Sequence, residues 1–299
     1  MSVRFGVSPI AWINDDMPEL GGDTPVETVL SDASEVGFSG VELGGKFPRD
    51  PEALRTLLDS CDLELVGGWY SSNLLVRSAE AEIAAMRDHL ELLQALGSNV
   101  FVIAETSNAI HGNRDCPLSN SPTLDDSEMA SLGERLTQVG DFLESEGVRL
   151  AYHHHLGTVV ETADELDRFL AATGKSVGLT LDTGHAALGG IDALKILRTH
   201  RQRIAHVHCK DIRRARFDKL MARGGSFLDG VLDGMFTVPG DGDLDFSAFM
   251  ETLSGIGYSG WIVVEAEQDP AVADPRTYAR LGLSVLRGQA VLSGLEEAA

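Results

Sequence analysis

Six of the nine histidines in this 299-residue chain fall at or just after three short, strand-like segments. They are His153, His154, His155, His185, His206 and His208. Acidic residues follow neighbouring segments of the same kind, at Glu42, Asp182, Asp211 and Glu265. Imidazole and carboxylate groups together suit Mn, Co, Fe or Zn, whereas a shell of oxygens alone would indicate Mg or Ca. The pattern therefore predicts a divalent metal site.

The segment that ends at Lys210 places three polar side chains on one face, because alternate residues of a strand point the same way. His206, His208 and Lys210 alternate there with small or apolar residues. Glu265 ends another apolar run, where a buried carboxylate requires a cation or a hydrogen-bonding partner. Asp182 either ligates the metal or caps the helix that follows it.

The three consecutive histidines leave the choice of ligand open. His153 and His155 share one face of their strand, and His154 points the other way. Either His153 or His155 can therefore supply the imidazole from this strand.

Eight β-rich segments alternate with eight segments of helical periodicity, which is the count of a closed parallel barrel. The predicted strands cover residues 4–8, 40–43, 64–68, 99–104, 149–153, 177–181, 204–209 and 261–265. The predicted helices cover residues 26–36, 51–60, 79–96, 127–146, 163–172, 191–199, 246–256 and 276–292. An open doubly wound sheet is the alternative, but the first connection carries no GxGxxG phosphate loop. We therefore predict an α/β protein with a single (β/α)8 TIM-barrel domain over residues 1–299.

Helix boundaries are indicated by residue types that start or stop helices. Asp50 and Asp274 each precede a proline, as expected of residues that cap a helix start. Gly37, Gly97, Gly147 and Gly174 each follow a helical segment, which predicts a left-handed backbone at all four glycines.

Two connections, 106–126 and 210–245, are unusually long and contain several glycines and prolines. Long connections in a compact domain are usually either functional or mobile. Both follow strands, so in a barrel they would lie at the C-terminal face, where barrel enzymes place their chemistry.

The composition excludes several classes of protein. Forty-six acidic against 24 basic residues give a formal charge of −22, which argues against nucleic-acid partners because phosphates require a basic patch. No apolar stretch reaches the ~20 residues of a membrane span, and the N-terminus lacks the features of a secretory signal. Three scattered cysteines do not indicate a disulfide framework. We expect a cytoplasmic protein with no membrane partner.

Other polar and aromatic residues are candidates for contacts with a substrate. Trp12 and Trp69 are either core residues or the apolar wall of a site for a sugar-like molecule. Asn14, Asp15 and Asp16 either bind hydroxyls or start a polar loop. Among the isolated histidines, His89 and His200 are expected at the surface. His111 is a candidate lid residue in the first long connection.

Three blocks resemble the sugar phosphate isomerase/epimerase superfamily, which has the xylose-isomerase-like barrel. They are residues 152–158 (YHHHLGT), 182–186 (DTGHA) and 206–211 (HVHCKD). Further blocks, at residues 12–19, 235–242 and 260–273, resemble one branch of that superfamily, the inosose dehydratases of myo-inositol catabolism. The resemblance extends from near the N-terminus to about Tyr278.

The resemblance implies a metal held at the ends of the fifth to eighth strands. By position the ligands would be His153, Asp182, His208 and Glu265, with His155 as the alternative to His153, where relatives commonly carry Glu. Mn or Co is the expected metal, with Zn, Fe or Mg as alternatives. The resemblance also implies a lysine just before the tryptophan at position 69, where this chain has Gly68.

The implied reaction is the loss of water from scyllo-inosose (2-keto-myo-inositol) to give a trihydroxycyclohexane-1,2-dione. Glu265 or Glu42 would remove the α-proton, His185 or His155 would protonate the leaving hydroxyl, and Lys210 would support the oxyanion. The residues expected to contact the substrate are Trp12, Asn14, Asp15, Trp69, His155 and Asp211.

The expected partners are a polyol ketone as substrate and further copies of the chain in a homo-oligomer. The first alternative is a keto-sugar or keto-inositol isomerase or epimerase, which uses a similar metal-stabilised enediolate. A binding or regulatory barrel without turnover is the alternative from another class.

Overall fold

The eight strand-like segments form one closed barrel of parallel strands. In order they are β1 (Ser2–Val7), β2 (Gly40–Leu43), β3 (Glu64–Ser72), β4 (Val100–Glu105), β5 (Arg149–His153), β6 (Val177–Asp182), β7 (Ile204–Cys209) and β8 (Gly260–Val264). Each strand pairs with the next, and β8 pairs with β1 to close the ring. The predicted (β/α)8 barrel is confirmed. This computed structural model describes residues 2–298, so the two ends of the predicted domain, Met1 and Ala299, lie outside the described residues.

Helices follow the strands and form the outer layer. They are α1 (Val26–Val36), α2 (Pro51–Ser60), α3 (Ala79–Ala85), α4 (Arg87–Ala95), α5 (Asp126–Ser145), α6 (Ala163–Ala172), α7 (Thr183–Leu188), α8 (Ala193–Thr199), α9 (Arg214–Arg223), α10 (Phe227–Leu232), α11 (Phe246–Ile256) and α12 (Pro275–Leu292). Short 3-10 turns lie at Pro9–Ala11, Leu118–Asn120 and Arg201–Arg203, and a short strand at Glu296–Glu297 pairs with β1. No helix among residues 2–298 combines the length and apolar character needed to cross a membrane.

The main core lies between the barrel and its helices. Tyr152 of β5, for example, points outward and packs on Phe169 of α6, with ring centroids 4.2 Å apart. A smaller apolar cluster of Val66, Trp261 and Val263 joins β3 to β8, which are not neighbours in the ring and therefore meet across the barrel interior. Gly40 makes room for it, since a Cβ there would lie 2.7 Å from the Trp261 ring.

The residues predicted to cap helix starts and ends agree with the structure, with one exception. Asp50 and Asp274 accept hydrogen bonds from the first turns of α2 and α12, and Gly37, Gly97 and Gly147 have a positive φ. The prediction for Gly174 is wrong, because Gly174 is absent from the positive-φ residues of the described chain. The glycine is needed there for close packing, since a Cβ would lie 2.6 Å from Thr137 of α5.

The second long connection is largely folded. It contains α9 and α10. Two short strands that flank these helices, Asp211–Ile212 and Phe236–Thr237, pair in antiparallel orientation. The predicted helix over 79–96 is also divided, since α3 and α4 meet at the buried Met86. The first long connection retains an irregular backbone apart from one 3-10 turn.

Candidate metal centre and active-site cavity

A cavity of about 340 Å³ opens at the C-terminal ends of the barrel strands, where the candidate metal ligands meet candidate substrate-contact residues. This volume lies in the range of small-molecule sites. Strand ends contribute Glu42, His153, His208 and Glu265 to its wall. Trp69 comes from β3, and the connections that follow the strands contribute Asp15, Asp16, Arg49, His111, His155 and Glu267.

The four residues that we predict as metal ligands lie together in a buried cluster. His153, Asp182, His208 and Glu265 each offer one ligand atom, and these atoms all lie within 4.8 Å of one another. His208 Nδ1 lies 2.9 Å from Glu265 Oε2 and 3.8 Å from Asp182 Oδ2, and His153 Nε2 lies 3.9 Å from the same Asp182 oxygen. His155 lies outside this set and belongs to a neighbouring group.

The donor atoms of this cluster fit a divalent metal. Asp182 Oδ2 is buried and has no hydrogen-bonding partner in the described chain, although buried polar atoms are almost always paired. Burial raises the pKa of Asp182 to about 6 despite the nearby Lys210 ammonium, so its negative charge is incompletely compensated. Two imidazole nitrogens and two carboxylate oxygens directed at one point are the donors that Mn, Co, Fe and Zn accept.

Asp182 has a second contact that fixes its position. Its Oδ1 accepts a hydrogen bond of 2.8 Å from the backbone N–H of His185 and so caps the start of α7. The two interpretations of this aspartate from the sequence, as a ligand or as a cap, are therefore compatible, because each uses a different oxygen.

Glu42 orients His208 from inside the barrel. Its Oε1 accepts from His208 Nε2 at 2.8 Å and from His206 Nε2 at 2.9 Å. Burial raises the pKa of Glu42, but the two histidines outweigh this and lower it to about 2. Burial likewise lowers the pKa of His208, but the carboxylates of Glu265 and Glu42 raise it well above its ordinary value. A carboxylate on the far nitrogen of a ligating histidine is the usual arrangement around protein metals.

Lys210 is fully buried and links three carboxylates. Its Nζ lies 2.6 Å from Glu265 Oε1, 3.3 Å from Glu267 Oε1 and 3.7 Å from Asp182 Oδ2. Burial lowers the pKa of Lys210, but these carboxylates outweigh it and raise the pKa, so the ammonium stays charged. Lys210 does not line the cavity and instead holds Glu265 and Glu267 from behind.

The two candidate acids differ in position. His155 lines the cavity, donates from Nδ1 to Leu156 O at 2.7 Å, and directs Nε2 towards Glu267 Oε1 at 3.6 Å. Burial lowers the pKa of His155, but Glu267 outweighs this and raises it. His185 is buried beneath it with its Nε2 3.1 Å from Lys210 Nζ, and burial together with the positive charge nearby lowers its pKa well below the ordinary value.

The predicted substrate-contact residues are divided between the cavity and other places. Asp15, Trp69 and His155 line the cavity, and the Trp69 ring lies 5.4 Å from the His153 ring between centroids. Trp12 is buried elsewhere and donates from Nε1 to Asp32.

Two further residues that were predicted to contact the substrate instead accept hydrogen bonds from the backbone of loops. Asn14 Oδ1 accepts from the backbone N–H groups of Asp16 and Met17. Asp211 accepts hydrogen bonds from four backbone N–H groups and so holds the 240–244 loop; the donors are Ile212, Gly240, Gly242 and Leu244.

Gly68 faces away from the cavity. A Cβ at this position would lie 2.9 Å from Leu43 Cβ and 3.1 Å from His89 Cε1, on the helix side of the barrel. The absence of the lysine implied by the resemblance therefore removes no side chain from this cavity wall. The surface position predicted for His89 is wrong, because the ring packs 5.0 Å from the Phe101 ring and its Nε2 lies 3.3 Å from Gly68 O.

Sequence reasoning missed two charged residues of the wall, namely Arg49 and Glu267, whereas Asp16, a candidate to bind hydroxyls, does line the cavity. Glu267 could have been found, because it lies two residues after Glu265 and continues the same face of the chain. His111, the candidate lid residue, does line the cavity and approaches Asp16 Oδ1 to 3.9 Å.

The closed parallel barrel and the His/Asp/Glu cluster at its C-terminal end define a class of protein. Residues 30–289 match the family model described as "Xylose isomerase-like TIM barrel", and the chain belongs to this family. The fold is shared with D-allulose 3-epimerase from Methylomonas sp., with a TM-score of 0.67 and 16% identity over 96% of this chain and 97% of that one. At this identity the likeness concerns the fold alone.

Sequence similarity places the chain more narrowly. It is 40% identical to the inosose dehydratase of Clostridium perfringens (strain 13 / Type A), over 93% of this chain and 94% of that protein. It is 47% identical to the rhizopine catabolism protein MocC of Rhizobium meliloti, over 98% of this chain and 90% of that protein. Within the barrel family the chain therefore belongs with the inosose dehydratases, which are hydro-lyases, and the predicted enzyme class is confirmed.

Proposed function

We propose that this protein is a metal-dependent hydro-lyase that removes water from scyllo-inosose and forms a trihydroxycyclohexane-1,2-dione. The observation that supports this most is the buried cluster of His153, Asp182, His208 and Glu265, of which all but Asp182 line the cavity. The identity of about 40% with inosose dehydratases supports the choice of substrate. The proposed partner is therefore a small polyol ketone.

A divalent metal held by these four residues would polarise the substrate carbonyl and stabilise the negative charge that develops when the α-proton is lost. Mn or Co is the proposed metal, with Zn, Fe or Mg as alternatives. Lys210 adds a fixed positive charge behind Glu265 and supports the same developing charge from outside the cavity.

His155 is the proposed acid for the departing hydroxyl. It lines the cavity, and Leu156 and Glu267 fix both of its nitrogens. His185 contacts Lys210 instead of the cavity, so it is better placed to position that ammonium than to protonate the substrate. A histidine held by a carboxylate is a common general acid.

The cavity wall also suits a ring that carries several hydroxyls. Asp15 offers carboxylate oxygens at the mouth, and Trp69 offers an apolar ring against which a flat face of the substrate can pack. A cytoplasmic location and a homo-oligomeric state remain predictions from the sequence.

Metal-free protein and protein loaded with Mn or Co should be incubated with scyllo-inosose while product mass and ultraviolet absorbance are followed. We expect the loss of one water and a new absorbance from the dione only with metal, and neither change with a metal-loaded Glu265→Gln variant. A product of unchanged mass would indicate the isomerase or epimerase instead. Protein that binds no divalent metal and gives no product would indicate a binding barrel.

A further inference from the structure

Five carboxylate side chains line the cavity, and four of them are held by partners. Glu42 contacts two histidines, Glu265 contacts His208 and Lys210, and Glu267 contacts Lys210 and His155. Asp15 accepts from the backbone N–H of Gly45 with both oxygens, at 3.2 and 3.0 Å. The fifth carboxylate is that of Asp16.

Asp16 is fixed through its backbone while its carboxylate is free. Its N–H donates to Asn14 Oδ1 at 2.9 Å, and the same oxygen accepts from the N–H of the buried Met17 at 2.8 Å. Among residues 2–298, no group donates a hydrogen bond to the Asp16 carboxylate, and its nearest basic neighbour is His111, 3.9 Å away. The side chain is 28% exposed and faces the cavity.

We propose that Asp16 is the base that removes the α-proton of the substrate. The proposal rests on the proposed dehydration. It assigns the base to the loop after β1, rather than to Glu265 or Glu42 as the sequence pattern indicates. Both of those carboxylates are committed to cationic partners, which weakens them as bases because a paired carboxylate binds a proton less readily.

The proton balance of the step is complete. Asp16 forms an O–H bond as the α-carbon–hydrogen bond breaks, and the released electron pair is first held as an enolate, from which the α-carbon can take up deuterium again. The enolate then forms a carbon–carbon double bond as the β-carbon–oxygen bond breaks. The departing hydroxide takes a proton from His155 and leaves as water. Because the α-carbon bears a hydroxyl, the product is the enol of a 1,2-dione. Return of the proton from Asp16 to His155 restores the enzyme.

The electrostatic surroundings of Asp16 favour this role. Burial, and secondly the negative charge of Glu267, raise the pKa of Asp16 to about 6, which suits proton transfer near neutral pH. The other charged or titratable groups near enough to act on the Asp16 carboxylate are Asp15, His111 and His155 in the cavity wall and Lys210 behind it.

The test compares metal-loaded wild-type protein with Asp16→Asn in D2O, with scyllo-inosose as the probe. Deuterium entry at the α-carbon and water loss are followed separately by mass spectrometry, together with bound metal and Tm. We expect Asp16→Asn to lower both rates by about 100-fold or more with unchanged metal content. Glu19→Gln is the matched control, because it makes the same charge change at an exposed position of the same loop.

Wild-type rates of deuterium entry in Asp16→Asn would overturn the proposal, including the case in which only water loss is slowed. Deuterium entry without water loss in the wild type would refute the dehydration, and the exchange rate of Asp16→Asn would still decide the role of Asp16. A wild-type protein that does neither would overturn both. Should Asp16→Asn fail to fold, Asp16→Ala replaces it with the same criteria.

Discussion

The two walls of the cavity differ in how their charged groups are held. The strand wall, formed by Glu42, His153, His208 and Glu265, is buried, and three of its four members have a charged partner within 3 Å. The loop wall, formed by Asp15, Asp16 and His111, is partly exposed, and the nearest basic side chain to the Asp16 carboxylate is His111, 3.9 Å away. The strand ends thus carry paired charges, whereas the loop after β1 and the first long connection carry charges with few partners.

This difference separates two requirements of the proposed chemistry. Groups that hold a cation must keep fixed positions and opposite charges, which burial and pairing provide. A group that exchanges protons must titrate near the working pH, which requires that no strong partner fix its charge. Changes in the strand wall should therefore alter stability and metal binding, and changes in the loop wall should alter the rate.

The largest effect is expected behind the strand wall, at Lys210. Lys210→Met would leave Glu265, Glu267 and Asp182 without their buried cation, and removal of one partner from a buried pair costs about 3–5 kcal/mol. The free energy of unfolding from urea titration measures this, with the exposed Lys219→Met as the control. A value for Lys210→Met within about 1 kcal/mol of the control would mean that the carboxylates do not need the ammonium.

A smaller effect is expected at Glu42, which contacts His208 rather than the proposed metal. Glu42→Gln should weaken metal affinity by about 10- to 100-fold, as is usual when the partner of a ligating histidine is lost. Competition with a chelator of known affinity measures it. The exposed Glu91→Gln serves as the control. Unchanged affinity would separate Glu42 from the metal centre.

The smallest effect concerns the loop wall and is seen in the pH dependence. The pKa of Asp16 is raised to about 6, and a base must be deprotonated to act, so kcat/KM should fall about tenfold per pH unit below pH 6. Above pH 6 the rate should stay level until His155, the proposed acid, whose pKa Glu267 raises, loses its proton. Rate profiles of metal-saturated wild type and Glu19→Gln should share this limb. If the residual kcat/KM of Asp16→Asn still falls below pH 6, the group that titrates there is not Asp16.

The strand wall was the more predictable of the two from sequence. Strand alternation alone places His206, His208 and Lys210 on one face, and the four proposed ligands lie together because parallel strands of a barrel end at one mouth. The choice between His153 and His155 needed the structure, since the alternation is the same for both residues.

The positions of the loop residues and of His89 could not be predicted, because they depend on tertiary contacts. Asn14 and Asp211 have the residue types of substrate ligands, yet their oxygens accept from backbone N–H groups that only the folded loops bring near. The two helices of the 210–245 segment were not predicted, because half of the residues of α9 are charged and α10 has only six residues. His89 was predicted at the surface because nothing in the sequence shows that Gly68 of β3 leaves room for its ring.

The two carboxylate oxygens of Asp182 have different roles, and this has an evolutionary consequence. One oxygen caps α7 and would be retained for folding alone, so a descendant of this barrel that had lost its metal would still be under selection to keep an aspartate or asparagine at this position. Glu265 does not cap a helix: among residues 2–298 its side chain pairs with His208 and Lys210 and with no backbone N–H group. Among related sequences, the residue at position 265 is therefore the better marker of retained metal chemistry than the residue at position 182.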